Sequence, residues 1–359
     1  MLPGQLGCYL SHIHIYERIF ARGSPVALVL CSDAEKDQQV TTDTPLVSVI
    51  LPAYNAQVYI AQAVASVLEQ DYANLELLVV DDGSTDGTAE HPVLQDRRIR
   101  VLHQANAGPA AARNLGLMAA GGDLIAFMDA DDLWLPGKLT AQVGYLQAHP
   151  DISIVFGRFQ RWLAEPDGSF STPTVNQTRP TLPVLAQPSG WIYTDLLLDS
   201  VIHIITAMVR KPVFDTVGLF DTRLPTGEDY DFWLRASRQF KIDQLAQTLA
   251  CYRIHPTSLT TIPRPESNEY RVLTHALQTW GATGPDGQTV DATTLEKRLF
   301  GICFGHAYLH FWNGSRRQAR KAFAQALGHS FWQPKVWVYW LLSSVLSATS
   351  SAGHEQKAP

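Results

Sequence analysis

Four polar clusters in this chain of 359 residues combine residue types at spacings that could do chemistry. The apolar run Leu124 to Met128 leads directly into Asp129-Ala130-Asp131-Asp132. Carboxylates crowded at one strand end repel each other unless a cation neutralises them, and such oxygens suit Mg²⁺ or Mn²⁺ completed by substrate phosphates. The same Asp-Asp-Leu-Trp run also reads as a turn and helix cap. Leu75 to Val80 ends at Asp81-Asp82-Gly83-Ser84, where a carboxylate could accept from a nucleobase imide or a ribose hydroxyl, or could simply shape a turn. Leu46 to Leu51 is followed by Pro52-Ala53-Tyr54-Asn55, in which Tyr54 could stack on a base or pack in a core. Gly227-Glu228-Asp229-Tyr230-Asp231 sets three acids before the apolar helix face of Phe232, Trp233 and Leu234. Helix-dipole compensation explains one acid better than three, so a general base beside a metal and phosphate site is the alternative.

These groups act together only if the fold brings them to one edge, and the apolar pattern predicts that it does. Strands at Leu46 to Leu51, Leu75 to Val80, Ile99 to Leu102 and Leu124 to Met128 are continuous apolar runs, separated by helical periodicity at Ile60 to Glu69 and Ala110 to Ala120. Such alternation implies a parallel sheet covered on both faces, and ligands of open parallel sheets bind at the carboxyl ends of the strands. Pro52 is expected to close the first strand, a further strand is expected at Ile152 to Phe159, and Glu165 to Gly190 reads as a long loop of the kind that is usually functional or mobile. Beyond about Pro265 the pattern turns helical, with candidates at Leu295 to Leu309, Arg316 to Leu327 and Lys335 to Leu346.

The ordered set Pro52-Ala53-Tyr54-Asn55, Asp81-Asp82-Gly83-Ser84-Thr85-Asp86, Asn106-Ala107-Gly108-Pro109 with Ala112-Arg113-Asn114-Leu115-Gly116, Asp129-Ala130-Asp131-Asp132 and Gly227-Glu228-Asp229 resembles glycosyltransferase family 2, over about Pro45 to Ser258. Each motif alone is weak, but five in order and spacing are specific. The resemblance implies the GT-A fold, a Rossmann-like, mostly parallel α/β sheet, and an inverting, metal-dependent transfer of one sugar from a nucleotide-sugar to an acceptor hydroxyl. It implies that Pro52, Ala53, Tyr54, Asn55, Asp81 and Asp82 hold the nucleoside, with Arg113, Asp129 and Ala130 also on the donor. Asp129 and Asp131 match the metal-binding D-x-D, Asp132 could share that work, and His255 could reach the metal. Asp229 matches the catalytic base, with Glu228 its neighbour. The implied cofactor is Mn²⁺ or Mg²⁺, and the implied partners are a nucleotide-sugar, a UDP-sugar first, and a glycan or lipid-linked acceptor in cell-surface polysaccharide, lipopolysaccharide or other glycoconjugate synthesis. The Q-x-x-R-W pattern of processive synthases does not follow Asp229, which favours single additions.

The N-terminal Gly7-Cys8-Tyr9-Leu10-Ser11-His12 and Ala27 to Ala34 resemble a fragment of glycosyltransferase family 25 in which Cys31-Ser32 replaces two acids. The expected organisation is therefore a remnant over residues 1–32, a polar linker over 33–44, a GT-A domain over 45–265 and a helical region over 266–359. A net charge of -6 and pI near 6.0 speak against a nucleic-acid partner. The four cysteines show no C-x-x-C spacing, which indicates neither zinc nor a disulfide framework. Met1 to Leu10 lacks the pattern of a signal peptide, and Val336 to Ala348 is too short to span a bilayer. The expectation is a cytoplasmic protein whose C-terminal helices pack against the catalytic domain; the alternative is that Phe331, Trp332, Trp337, Tyr339 and Trp340 dock to a partner or to the inner face of the membrane. Two other classes stay open: a nucleotidyltransferase, whose Gly-rich basic phosphate loop is not seen, and a non-catalytic sugar-nucleotide scaffold, disfavoured by the intact acids.

Overall fold

The computed structural model describes residues 44–165, 167, 169–171, 173, 188–255, 258 and 262–352, with side chains to 344. The expected remnant, nearly all of the linker and most of the long loop lie outside the described residues.

Alternation of buried apolar strands and helices builds the first half. Strands β1 (Val47–Ala53), β2 (Leu75–Asp81), β3 (Ile99–His103) and β4 (Leu124–Phe127) are joined by helices α1 (Ile60–Leu68) and α2 (Pro109–Ala119). These four strands pair in parallel in the order β3-β2-β1-β4, so their carboxyl ends form one rim. Helix α2 lies so close to β1 that a Cβ on Gly116 would fall 2.5 Å from Ile50 Cγ2, which only glycine permits. Pro52, expected to close the first strand, sits inside β1. Pairing with β4 stops at Ile50, so at Pro52 the strand has a partner on one side only, where a missing N–H forfeits no ladder bond.

The second half extends the same sheet. Helix α3 (Lys138–Ala148) follows the two-residue β5 (Leu133–Trp134), and β6 (Ile152–Leu163) continues four residues past its expected end. Then come β7 (Ser189–Gly190), α4 (Tyr193–Leu198), β8 (Met208–Arg210), α5 (Pro212–Val217), α6 (Glu228–Ala236) and the long β9 (Lys241–Ile254). The full order is β3-β2-β1-β4-β8-β6-β9-β5, with β7 also on β9. Its long pairings are parallel; the antiparallel ones, on β8, β5 and β7, run over two or three residue pairs. The architecture is thus a mixed, mostly parallel α/β sheet: the apolar runs imply its parallel part, and the short antiparallel pairings of β8, β5 and β7 depart from them.

Four helices close the described chain: α7 (Asn268–Trp280), α8 (Ala292–Asn313), α9 (Arg316–His329) and α10 (Pro334–Ala352). The first was not legible in the pattern; Ser267 caps it by accepting from the Tyr270 backbone N–H. Leu295, Leu299 and Ile302 at the start of α8 join the main core, whereas Cys303, Ala307 and Phe311 further along it form a second core with α9 and α10. One helix therefore couples the sheet to a small helical layer.

Candidate active site

Loops after β1 and β2 are stitched together at the rim. Asn55, at φ 48, accepts from the Thr85 backbone N–H through Oδ1 at 2.8 Å, and its own N–H donates to Ser84 Oγ. Asp82 is fully engaged. Its carboxylate accepts from Gln104 Nε2 at 2.7 Å and from the backbone N–H groups of Ala107 and Gly108 at 2.8 Å. It thereby anchors the loop that starts α2, and the chain passes so close that Gly83, at φ +74, would put a Cβ 2.9 Å from Asn106 N. Asp81 keeps more capacity, with one oxygen on the Ser84 N–H and the other 3.4 Å from His103 Nδ1. Ala53 is buried and Pro52 half-buried, while Tyr54 leaves 49% of its surface exposed beside them, a ring available for stacking.

The acidic run after β4 splits into two environments. Asp129 and Asp131 are half-exposed at the rim, and Asp131 Oδ2 lies 2.9 Å from His255 Nε2. Asp132 faces inward. It is wholly buried, its Oδ1 accepts from the Arg253 backbone N–H at 2.8 Å, and its other oxygen meets no partner among the described residues. Burial, with Asp131 and Asp129 nearby, pushes its carboxyl well above the usual carboxylate range. Arg253 fixes the run from behind: Nε donates to the Asp131 carbonyl at 2.6 Å, and the guanidinium is caged by Tyr59, Trp162 and Phe170 at 4.0 to 4.7 Å.

Arg113 ties this rim to the fourth motif. The side chain, on α2, is only 4% exposed; Nη2 donates to Asp129 Oδ1 at 2.7 Å and Nη1 to Glu228 Oε1. Where the resemblance implied Arg113 on the donor, its bonds in the structure go to these two carboxylates. Burial acts to lower its pKa, yet Asp129, Glu228 and Asp229 outweigh that and hold the guanidinium raised and charged. Next in sequence, Asn114 exchanges two hydrogen bonds with the backbone of Phe220, on the loop leading to α6. Two consecutive residues of α2 therefore set where the acidic start of α6 lies. Glu228 is buried against Arg113, and burial raises its pKa despite that partner. Asp229 is half-buried and accepts from the Tyr230 N–H at 2.8 Å; burial raises its pKa against the pull of Arg113. Asp231 instead pairs with Arg235 one turn on, at 2.9 Å.

His203 is a neighbour that no motif announced. Its ring lies between Phe159 at 4.7 Å and Tyr252 at 4.8 Å, and burial lowers its pKa against the fields of Asp129 and Asp131. An isolated histidine before a short apolar turn carries no sequence signal of such a position. Among the described residues no three His, Cys, Asp or Glu side chains converge into a ready-made metal cage. Asp129 and Asp131 at the rim, with the His255 imidazole beside Asp131, could still share in holding a cation whose remaining ligands are substrate phosphates.

Comparison with known proteins bears on the family and the fold. The family model for glycosyl transferase family 2 matches residues 48–183. The chain is 32% identical over 248 residues to TuaG of Bacillus subtilis, a glycosyltransferase named for teichuronic acid biosynthesis, covering 67% of this chain and 88% of that one. Several glycosyltransferase relatives from Rickettsia species are longer, and the chain spans about a third of their length. Among solved structures, S. aureus TarS 1–349 in complex with UDP-GlcNAc superposes with a TM-score of 0.55 at 19% identity, covering 79% of this chain and 81% of that one. The mannosyltransferase PcManGT from Pyrobaculum calidifontis, in complex with GDP-Man and Mn²⁺, gives 0.50 at 19% identity, over 87% and 81%. At that identity the likeness is one of fold.

Proposed function

The chain belongs to glycosyltransferase family 2, with the GT-A fold of a sugar transferase, and from that premise we propose that it moves a single sugar from a nucleotide-sugar to an acceptor hydroxyl with inversion. We assign the chemistry to residues 45–265 and treat 266–359 as an appended helical region. The nucleoside lies along Pro52, Ala53, Tyr54 and Asn55, with the Tyr54 ring stacked on the base and Asp81 accepting from its imide or from the ribose. Asp82 shapes the loop that receives it. A UDP-sugar is the first donor to try, since TarS was solved with UDP-GlcNAc, and GDP-mannose the second, after PcManGT.

Asp129, Asp131 and His255 would hold Mn²⁺ or Mg²⁺, which supplies charge neutralisation for the diphosphate. Asp132, buried on the Arg253 backbone, shapes the turn instead of ligating. Ala130, between the two acids, leaves room for the donor. Asp229 accepts the proton of the acceptor hydroxyl while its oxygen attacks the sugar C1 opposite the diphosphate. The C1–O bond to the diphosphate breaks as the new one forms. A carboxylate whose pKa burial has raised is better matched to that proton than an exposed one. Glu228 orients the segment through Arg113.

The observation that carries this reading is the Arg113 fork, because it joins the D-x-D of β4 to the acids of α6 through one buried guanidinium. Calorimetry of UDP and GDP, with and without Mn²⁺, on the wild type and Asp131→Ala is the test. Tight binding only in the wild type with Mn²⁺ supports the reading, and equal affinity in all four cases sinks the metal assignment.

A further inference from the structure

Charge is strongly segregated in this chain. Residues 297–354 contain seven Lys and Arg and not one Asp or Glu, although the whole chain carries 34 acids and a net charge of -6. The segment covers most of α8 and all of α9 and α10. On α9, Arg317, Arg320 and Lys321 are exposed, as is Lys335 at the start of α10.

The same surface carries unpaid apolar exposure. Trp332 is 88% exposed and Phe331 57%, in the joint between α9 and α10. They begin a contiguous aromatic ladder: Phe331 touches Trp332 at 5.4 Å and Trp337 at 5.2 Å, and Trp337 touches Trp340 at 5.6 Å. Arg320 lies 5.2 Å over the Trp340 ring, so the basic side of α9 and the ladder are one surface. Leu341 extends it at the exposed side of α10.

We propose that this basic, aromatic face of α9 and α10 seats the enzyme on an anionic lipid bilayer, lying on the surface without crossing it. Tryptophan side chains favour the headgroup boundary, and Lys and Arg beside them are attracted to anionic headgroups. No helix among the described residues is long and apolar enough to cross a membrane. A second copy of the chain is a poor occupant, because an isologous pairing would set two equally basic faces against each other. The inference stands apart from the identity of donor and base, and it fits an acceptor held at a lipid surface.

The test is sedimentation of the full chain with vesicles of phosphatidylcholine alone, and of phosphatidylcholine and phosphatidylglycerol at three to one, in low and high salt. Binding to the anionic vesicles that salt reverses, with little on the neutral ones, is expected. Reversing Arg320 and Lys321 together to Glu should weaken it by about 25-fold or more, since each basic residue near such a surface contributes about fivefold. Trp332→Ala, at a position outside both cores, should weaken it as well, with Mn²⁺-dependent nucleotide binding unchanged in every variant. Equal binding to neutral vesicles, or none to anionic ones at low salt, overturns the proposal. So does a dimer in light scattering that Trp332→Ala dissolves, which would assign the face to a second copy. The wild-type comparison between vesicles and salts decides the matter even if a variant fails to fold.

Discussion

Replacing Arg113 by methionine should be among the most damaging single changes to the stability of the sheet domain. The side chain is buried, and it donates to Asp129 at 2.7 Å and to Glu228. Methionine fills most of the volume but leaves Glu228 buried without its cation, with Asp229 adjacent in sequence. Removing one partner of a buried pair costs about 3–5 kcal/mol. Uptake of a proton by Glu228, whose pKa burial already raises, offsets part of this and points to the lower end. At about 2–4 °C per kcal/mol for a domain of this size, the melting temperature should fall by roughly 10 °C. Arg113→Lys should lose an intermediate amount, because one ammonium cannot fork two carboxylates. Combining Arg113→Met with Glu228→Gln should recover at least about 1 kcal/mol relative to additivity, since the orphaned charge is gone. Thermal and urea unfolding of wild type, Arg113→Met, Arg113→Lys, Glu228→Gln and the double variant, with circular dichroism as the readout, is the assay. An Arg113→Met protein that melts within about 2 °C of wild type would refute the idea that the fork holds the rim and α6 together.

Other outcomes follow from the same geometry. Lys138 is wholly buried, its Nζ on Gln142 Oε1 at 2.6 Å, and burial pushes its pKa well below 10.5. Between its folded and unfolded pKa values the unfolded chain holds the extra proton, so stability from this group rises with pH there; the part of the rise below pH 10.5 that this group supplies, read from melting curves, should vanish in Lys138→Met. Asp132→Asn should leave Mn²⁺-dependent nucleotide binding within about threefold, while Asp131→Asn should lose tenfold or more, because only the rim carboxylates meet phosphate-bound cations; equal losses by calorimetry would return Asp132 to the metal set. Gly83→Ala should lower stability by about 1–3 kcal/mol in urea unfolding, through its positive φ and the 2.9 Å approach to Asn106 N. The acid limb of the turnover profile should lie above pH 3.8, since burial raises the Asp229 pKa and the base works only when deprotonated; a limb at or below that value would contradict the burial argument.

Most of the first half was legible because buried parallel strands are written as uninterrupted apolar runs, and β1 to β4 fall within one or two residues of their expected limits. Later elements were harder. Strand β9 contains Lys241, Asp243, Gln244 and Gln247, and its long pairing with β6 follows from non-local register that no local period encodes. Motifs located the rim, but sequence alone could not tell which acids face outward. In Asp129-Ala130-Asp131-Asp132, two rim carboxylates and one buried anchor are chemically identical in the sequence, and the Arg253 backbone that captures Asp132 lies 121 positions away. Arg113 shows the same limit: a basic residue near a diphosphate site reads as a ligand, and nothing local announces that its guanidinium also bonds Asp129 after β4 and Glu228 on α6. His203 had no signal, since only folding sets it between Phe159 and Tyr252.

In the proposed reaction Asp229 removes the acceptor proton within a donor site built from the rim. Once a donor has been identified by nucleotide binding and slow hydrolysis, turnover and donor affinity of Asp229→Asn decide it. Asparagine keeps the shape and the hydrogen bond to the Tyr230 N–H but cannot take a proton. Turnover should fall by about 10²- to 10⁴-fold with donor affinity within about twofold. Near-wild-type turnover in Asp229→Asn, with the loss appearing in Glu228→Gln instead, would contradict the assignment and move the base one residue back.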